Sequence, residues 1–161
     1  MSVFANKTMF AATALLAGLS CFAAEKPQVI PPERLANYWL LLSGTAKQAN
    51  APNSGRNLDA PSCATVAYVV EKDGSTSNVE LRRIVPEGDL GKVAVSVVKD
   101  MQFAPAPQNL GKTPVSTYVV MPFNLPNAAS TNPADIALRQ RTLDACKPEG
   151  VGAKETAIPV R

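Results

Sequence analysis

Histidine is absent from this 161-residue chain. That removes Ser-His-Asp and Cys-His triads, imidazole general bases and histidine-containing zinc sites together. The groups left with chemical potential are few. Cys21, Cys63 and Cys146 are the thiols, too few for a zinc site of four thiolates. Ser96-Val97-Val98-Lys99 fits the Ser-x-x-Lys acylation pattern, but the chain is too short for that fold and its companion motifs are missing. Gly111-Lys112-Thr113 echoes the end of a phosphate-binding loop. The first glycine of that motif would fall at Ala106, with Pro107 inside it, so the motif fails. The carboxylates are scattered, with no pair flanking an evident cleft. The residues predict no catalytic apparatus, no metal and no cofactor.

The chain's beginning predicts where it works. Lys7 is the only charge before Glu25, and Thr8 to Ala24 runs uncharged through Ala-Ala-Thr-Ala-Leu-Leu-Ala-Gly-Leu. A positive start, an apolar run and a small-residue exit describe a secretory signal peptide, here residues 1–23. Cleavage after Ala23 puts small residues, Cys21 and Ala23, at the positions that must be small. Two readings compete with it. One is an uncleaved anchor, although a span needs about 20 apolar residues. The other is a lipoprotein with lipidated Cys21, which Gly18-Leu19-Ser20 fits poorly.

Export gives the remaining cysteines a meaning. Cys63 and Cys146 form an even pair in an oxidising compartment, a candidate disulfide. In the chain-entropy description the loop from Cys63 to Cys146, 84 residues counting both ends, contributes about 4 kcal/mol at most. Two unrelated buried thiols are the competing reading. The formal charge of +3 falls to about +2 without Lys7. With no basic stripe and no interleaved aromatics, that excludes a nucleic-acid partner.

The elements that must position any site lie between Cys63 and Leu125. Ala64, Val66, Tyr68 and Val70 alternate with Thr65, Ala67, Val69 and Glu71, the period of a strand. Lys72-Asp73-Gly74-Ser75 supplies a tight turn. Thr76 to Val85 resumes the alternation and Pro86 ends it. Leu90, Val93-Ala94, Val97-Val98 and Met101 have helical spacing, while Val93, Val95 and Val97 also fit a strand. Val115, Thr117, Val119, Met121 and Phe123 then share one side of a last strand, with Ser116, Tyr118 and Val120 on the other. Pro122 places that strand at or near an edge.

The flanks are less regular. Leu35, Tyr38-Trp39, Leu42 and Ala46 have helical spacing behind Pro31-Pro32, so residues 24–61 read as an N-terminal helix followed by a loop rich in Asn, Pro, Gly and Ser. Residues 126–161 read as a loop, a helix from Pro133 through Ile136, Leu138 and Leu143 towards Cys146, and a mobile tail.

The order Val66-x-Tyr68, Asp73-Gly74, Val79-x-Leu81, Leu90, Phe103, Pro105-Ala106, Gly111-Lys112, Pro114-Val115 and Pro122-Phe123 resembles the C-terminal domain of TonB-family proteins. The chain departs from that pattern in several places. Met101-Gln102-Phe103 lacks the usual tryptophan and arginine, Leu90-Gly91 replaces Leu-Asp, Thr113 is additional, and no Tyr-Pro element precedes the first strand. The resemblance resolves residues 90–101 as a helix. It implies an α+β domain over 62–125, strand-strand-helix-strand on a small antiparallel sheet, with extra flanking helices.

The resemblance also implies a site of a particular kind: a sheet edge that captures a peptide. Val115, Ser116, Thr117, Tyr118, Val119 and Val120 are then the binding residues, and the partner is a peptide or envelope protein, an outer-membrane transporter among the candidates. The long proline-rich spacer and functional histidine of full TonB proteins are absent, so direct energy transduction is not expected. The expectation is a periplasmic binding module. The alternatives are an assembly component that dimerises through its sheet, an edge covered by the extra helices, and, from a different class, an envelope enzyme.

Overall fold

The structure, a computed structural model, describes residues 26–44 and 54–148. The expected signal peptide, much of the loop after the first helix, and the tail beyond Pro148 lie outside the described residues. The fold is α+β. Strands β1 (Gln28–Val29), β2 (Trp39–Leu41), β3 (Ser62–Val70), β4 (Thr76–Val85), β5 (Phe103–Pro105) and β6 (Val115–Phe123) accompany helices α1 (Leu90–Asp100) and α2 (Pro133–Ala145), with a 3₁₀ helix at Pro32–Asn37.

A four-stranded sheet in the order β1-β6-β3-β4 forms the centre. β3 pairs antiparallel with β4 on one side and β6 on the other, while β1 joins β6 in parallel. Because β3 lies inside, nearly every one of its residues is buried. The alternation therefore marks two covered faces rather than one wet and one dry. Ala64, Val66, Tyr68 and Val70 share the face under α1 with Val115 and Val119, opposite Ala94 and Val98 of the helix. On the other face, Cys63 and Thr65 meet the end of α2.

Helix α1 takes the helical alternative at residues 90–100. It turns Leu90, Gly91, Ala94 and Val98 inward and Lys92, Ser96, Lys99 and Asp100 to solvent. Its sequence departure, Gly91, has a steric reason. A Cβ there would stand 2.6 Å from Leu81 Cδ2, so the glycine lets the helix press onto β4. Asp89 stands at the N-cap without a side-chain cap bond. Its carboxylate accepts instead from the Arg56 N–H (2.9 Å) and Lys92 Nζ (2.8 Å). These donors hold the Asp89 carboxyl below the usual range, the Lys92 hydrogen bond contributing most.

The N-terminal segment corrects the sequence reading. Residues after Pro31 make one short 3₁₀ helix, and Trp39–Leu41 is a strand paired antiparallel with β5. The helical spacing of Leu35, Tyr38 and Leu42 was overridden by a partner about 65 residues away in the chain, the backbone of Phe103–Pro105. Trp39 is thereby driven into the core at 1% exposure, its indole N–H donating to the Thr113 carbonyl at 2.9 Å. The additional residue of the Gly-Lys-Pro-Val turn thus anchors the only tryptophan. Asn109 fixes the same turn, donating to the Tyr38 carbonyl and accepting from the Thr113 N–H.

Tyr68 is 4% exposed and its ring stacks with Phe103 at 6.1 Å. Burial pushes its hydroxyl up to about 12 from 10.0. A folded pKa above the unfolded one favours the neutral phenol in the native state. That contribution is present below pH 10 and is lost as pH rises towards 12, amounting to about 2–3 kcal/mol over the window. Urea midpoints should fall steeply between these pH values in the native chain, and Tyr68→Phe should flatten most of the fall.

Cys63 and Cys146 are bonded, 83 residues apart in sequence, with both residues fully buried. The bond ties the start of β3 to the residue that follows α2.

Candidate functional site

The hydrogen bonds of β1 fix which way the backbone of β6 points. Gln28 N–H donates to the Pro114 carbonyl (3.0 Å) and Ile30 N–H to the Ser116 carbonyl (2.9 Å). Even-numbered residues of β6 therefore turn their backbone groups away from β3, and odd-numbered ones turn theirs towards it. β1 spans only two residues and engages β6 only at Val115 and Ser116. Ile30 then drops into the core at 3% exposure, and Pro31-Pro32 carries the chain off the edge. Beyond that point, among the described residues, no strand lies against the outward backbone groups of Tyr118, Val120 and Pro122. Pro122 brings no N–H, so the open stretch with both donors and acceptors is centred on Tyr118 and Val120.

The six residues expected to bind do not form one continuous site. Val115 and Ser116 are paired with the chain's own β1. Val115 and Thr117 are buried, and Val119 is half-buried against the core that contains Val115. Tyr118 and Val120 remain at the open stretch, half-buried, with their side chains on the opposite face.

Beside those two side chains lies a shallow groove of about 470 Å³, lined by Pro32, Glu33, Tyr118, Val120, Lys147 and Pro148. The 3₁₀ helix supplies one wall and the chain leaving α2 the other. Burial raises the Tyr118 hydroxyl above its ordinary value, and the negative charge of Glu33 adds to the effect. Lys147 reaches Asp144 at 2.6 Å across one helical turn. The groove thus has an apolar floor between an acidic wall and a basic one. Sequence reasoning found the strand but missed both walls, since nothing local links residues near 33 and 147 to residue 118.

The sheet has a second edge, on β4, and it is guarded. Two register shifts interrupt its pairing with β3, and Asn78 sits at φ 48°. Glu80, Arg82 and Arg83 stand exposed along it, with Glu80 and Arg82 paired at 2.9 Å. Bulges and charges are the means by which sheet edges avoid joining foreign strands. The run Val119-Val120-Met121 and its neighbours on β6 carry neither.

The weak catalytic matches find no context. Ser96 and Lys99 are both exposed on the outer side of α1. Among the described residues no group of three or more potential ligands could hold a metal ion, and no helix is long and apolar enough to cross a membrane.

Residues 52–125 match the family described as Gram-negative bacterial TonB protein C-terminal. No curated protein matches the chain.

Proposed function

We propose, from the match of residues 52–125 to the Gram-negative bacterial TonB C-terminal family, that this chain is a periplasmic binding module that takes an extended peptide segment onto the edge of β6. The observation that carries the reading is the unguarded stretch at Tyr118 and Val120, with outward backbone groups beside a groove. Strand addition uses main-chain bonds for affinity and alternate side chains for selectivity. The partner strand bonds to Tyr118 and Val120 and lays its side chains on the floor made by Pro32, Tyr118, Val120 and Pro148. Because β1 already holds Val115 and Ser116, the captured stretch is short. A partner in the envelope, a segment of an outer-membrane transporter included, fits a transport-associated domain.

Photo-cross-linking from position 120, with position 80 on β4 as control, tests this in intact envelopes. The expected result is a cross-link from 120 alone, mapping to an extended segment of another envelope protein. Tyr118→Pro removes one outward donor and leaves the inner ladder to β3 intact. It should weaken capture about tenfold, the worth of one backbone bond and its ordering, while Tyr118→Phe should not. Equal yields from 120 and 80, or full capture by a folded Tyr118→Pro protein, would reject strand addition. A cross-link from 120 to a second copy of the chain would assign the edge to a dimer.

A further inference from the structure

The groove's basic wall has no hydrophobic foundation of its own. Lys147 and Pro148 are the residues that follow Cys146, and the preceding helix α2 contains no buried residue. Ile136 is 53% exposed, and Leu138 and Leu143 are only half-buried. What fixes the end of α2 to the sheet is concentrated at one point. Cys146 is fully buried and bonded to Cys63, and the Thr65 hydroxyl donates to the Cys146 carbonyl at 2.5 Å. A helix of this length is marginal in water without packing, so one hydrogen bond is a weak substitute for the covalent tie.

We propose that the Cys63–Cys146 disulfide is a latch that erects the wall of the edge groove, so that the complete groove exists only in the oxidised protein. The inference rests on the edge-capture reading for its meaning and concerns the regulation of that site. Closing the latch moves two electrons and two protons from the Cys63 and Cys146 thiols to a disulfide oxidant, which leaves as a dithiol. Before oxidation the sheet, α1 and the open stretch of β6 are in place, and residues 133–148 are undocked. After oxidation Lys147 and Pro148 stand beside Tyr118. Because both residues of the bond are fully buried, the closed latch is shielded from small thiols. The groove is assembled once, on entry to an oxidising compartment, rather than cycled.

Amide hydrogen exchange read by mass spectrometry tests the latch without any partner, so its failure is separable from failure of the peptide reading. Full-length oxidised protein is compared with the double variants Cys63→Ser/Cys146→Ser and Cys63→Val/Cys146→Val. The valine pair keeps apolar side chains at the two buried positions and removes only the covalent bond. The expected result is exchange about tenfold or more faster across α2 and Lys147, with β3, β6 and α1 still protected. Unchanged protection of α2 in either variant would overturn the proposal. So would loss of protection throughout the sheet in both variants, because the bond would then support the whole fold rather than one wall.

Discussion

Trp39→Ala should cost about 3–5 kcal/mol of stability, the range for deleting a fully buried aromatic. The residue comes from ahead of the family domain, yet its indole is 1% exposed within the core that also contains Tyr68 and Phe103. Truncation leaves a large cavity under strands already pinned by their own pairing, so collapse around it is limited. The Thr113 carbonyl also loses its 2.9 Å donor, although it is only partly buried and water can replace the bond. Trp39→Phe restores most of the volume without the N–H and should recover more than half of the loss. Equilibrium urea unfolding checks both. A Trp39→Ala protein as stable as the native one would mean that residues 26–44 are an appendage rather than part of the core.

The second large effect is at the hairpin glycine. Gly74 has φ +84°, and a Cβ there would meet the Phe103 carbonyl oxygen at 2.0 Å. The contact is with backbone, and the same segment carries the Phe103 N–H bond to the Gly74 carbonyl at 2.8 Å. No rotamer relieves it. Gly74→Ala must shift β5 or the turn, and the expected loss is about 3–4 kcal/mol, strain and a broken bond together. Gly44→Ala is the control, since φ is +79° there with nothing within 4 Å of the new Cβ. It should show the strain alone, about 1 kcal/mol. Similar losses at both positions would refute the close approach of the hairpin to β5.

What the residues disclosed in advance follows the range over which each signal acts. β3, β4 and β6 were legible because period two is local, and Asp73-Gly74 marks its own turn. α2 was legible from Pro133 and its apolar spacing, and Asn132 caps it by accepting from the Ala134 N–H. α1 needed more than periodicity, since Val93, Val95 and Val97 suit a strand. Its partner face on β3 and β4 decides the matter. The unread parts all depend on distant partners. Gln28–Val29 is two exposed residues and becomes a strand only because Pro114 and Ser116 offer carbonyls. Trp39–Leu41 becomes a strand only against β5, which reads as part of a loop in the sequence. The sequence put the expected edge on β6; that Tyr118 and Val120 have no neighbouring strand among the described residues follows from how far β1 reaches. Both groove walls were invisible for the same reason.

These differences sharpen the functional claim. An edge open along its whole length would accept any β-prone segment. An edge held by β1 at one end and stopped by Pro122 at the other offers a short window. Under the proposed strand addition, that window would select for a partner whose extended stretch is brief and is flanked by residues able to face Glu33 and Lys147.

Residue-resolved amide exchange of the free, oxidised protein by nuclear magnetic resonance tests the open window most directly. Thr117, Val119 and Met121 amides face β3 and should exchange slowly, while those of Tyr118 and Val120 should exchange far faster, at every protein concentration. An alternating slow–fast pattern along β6 is the predicted result. Tyr118 and Val120 amides as slow as Val119 and Met121 would contradict it. Dilution would then tell whether a second copy covers the edge, with protection falling, or the chain itself does, with protection unchanged.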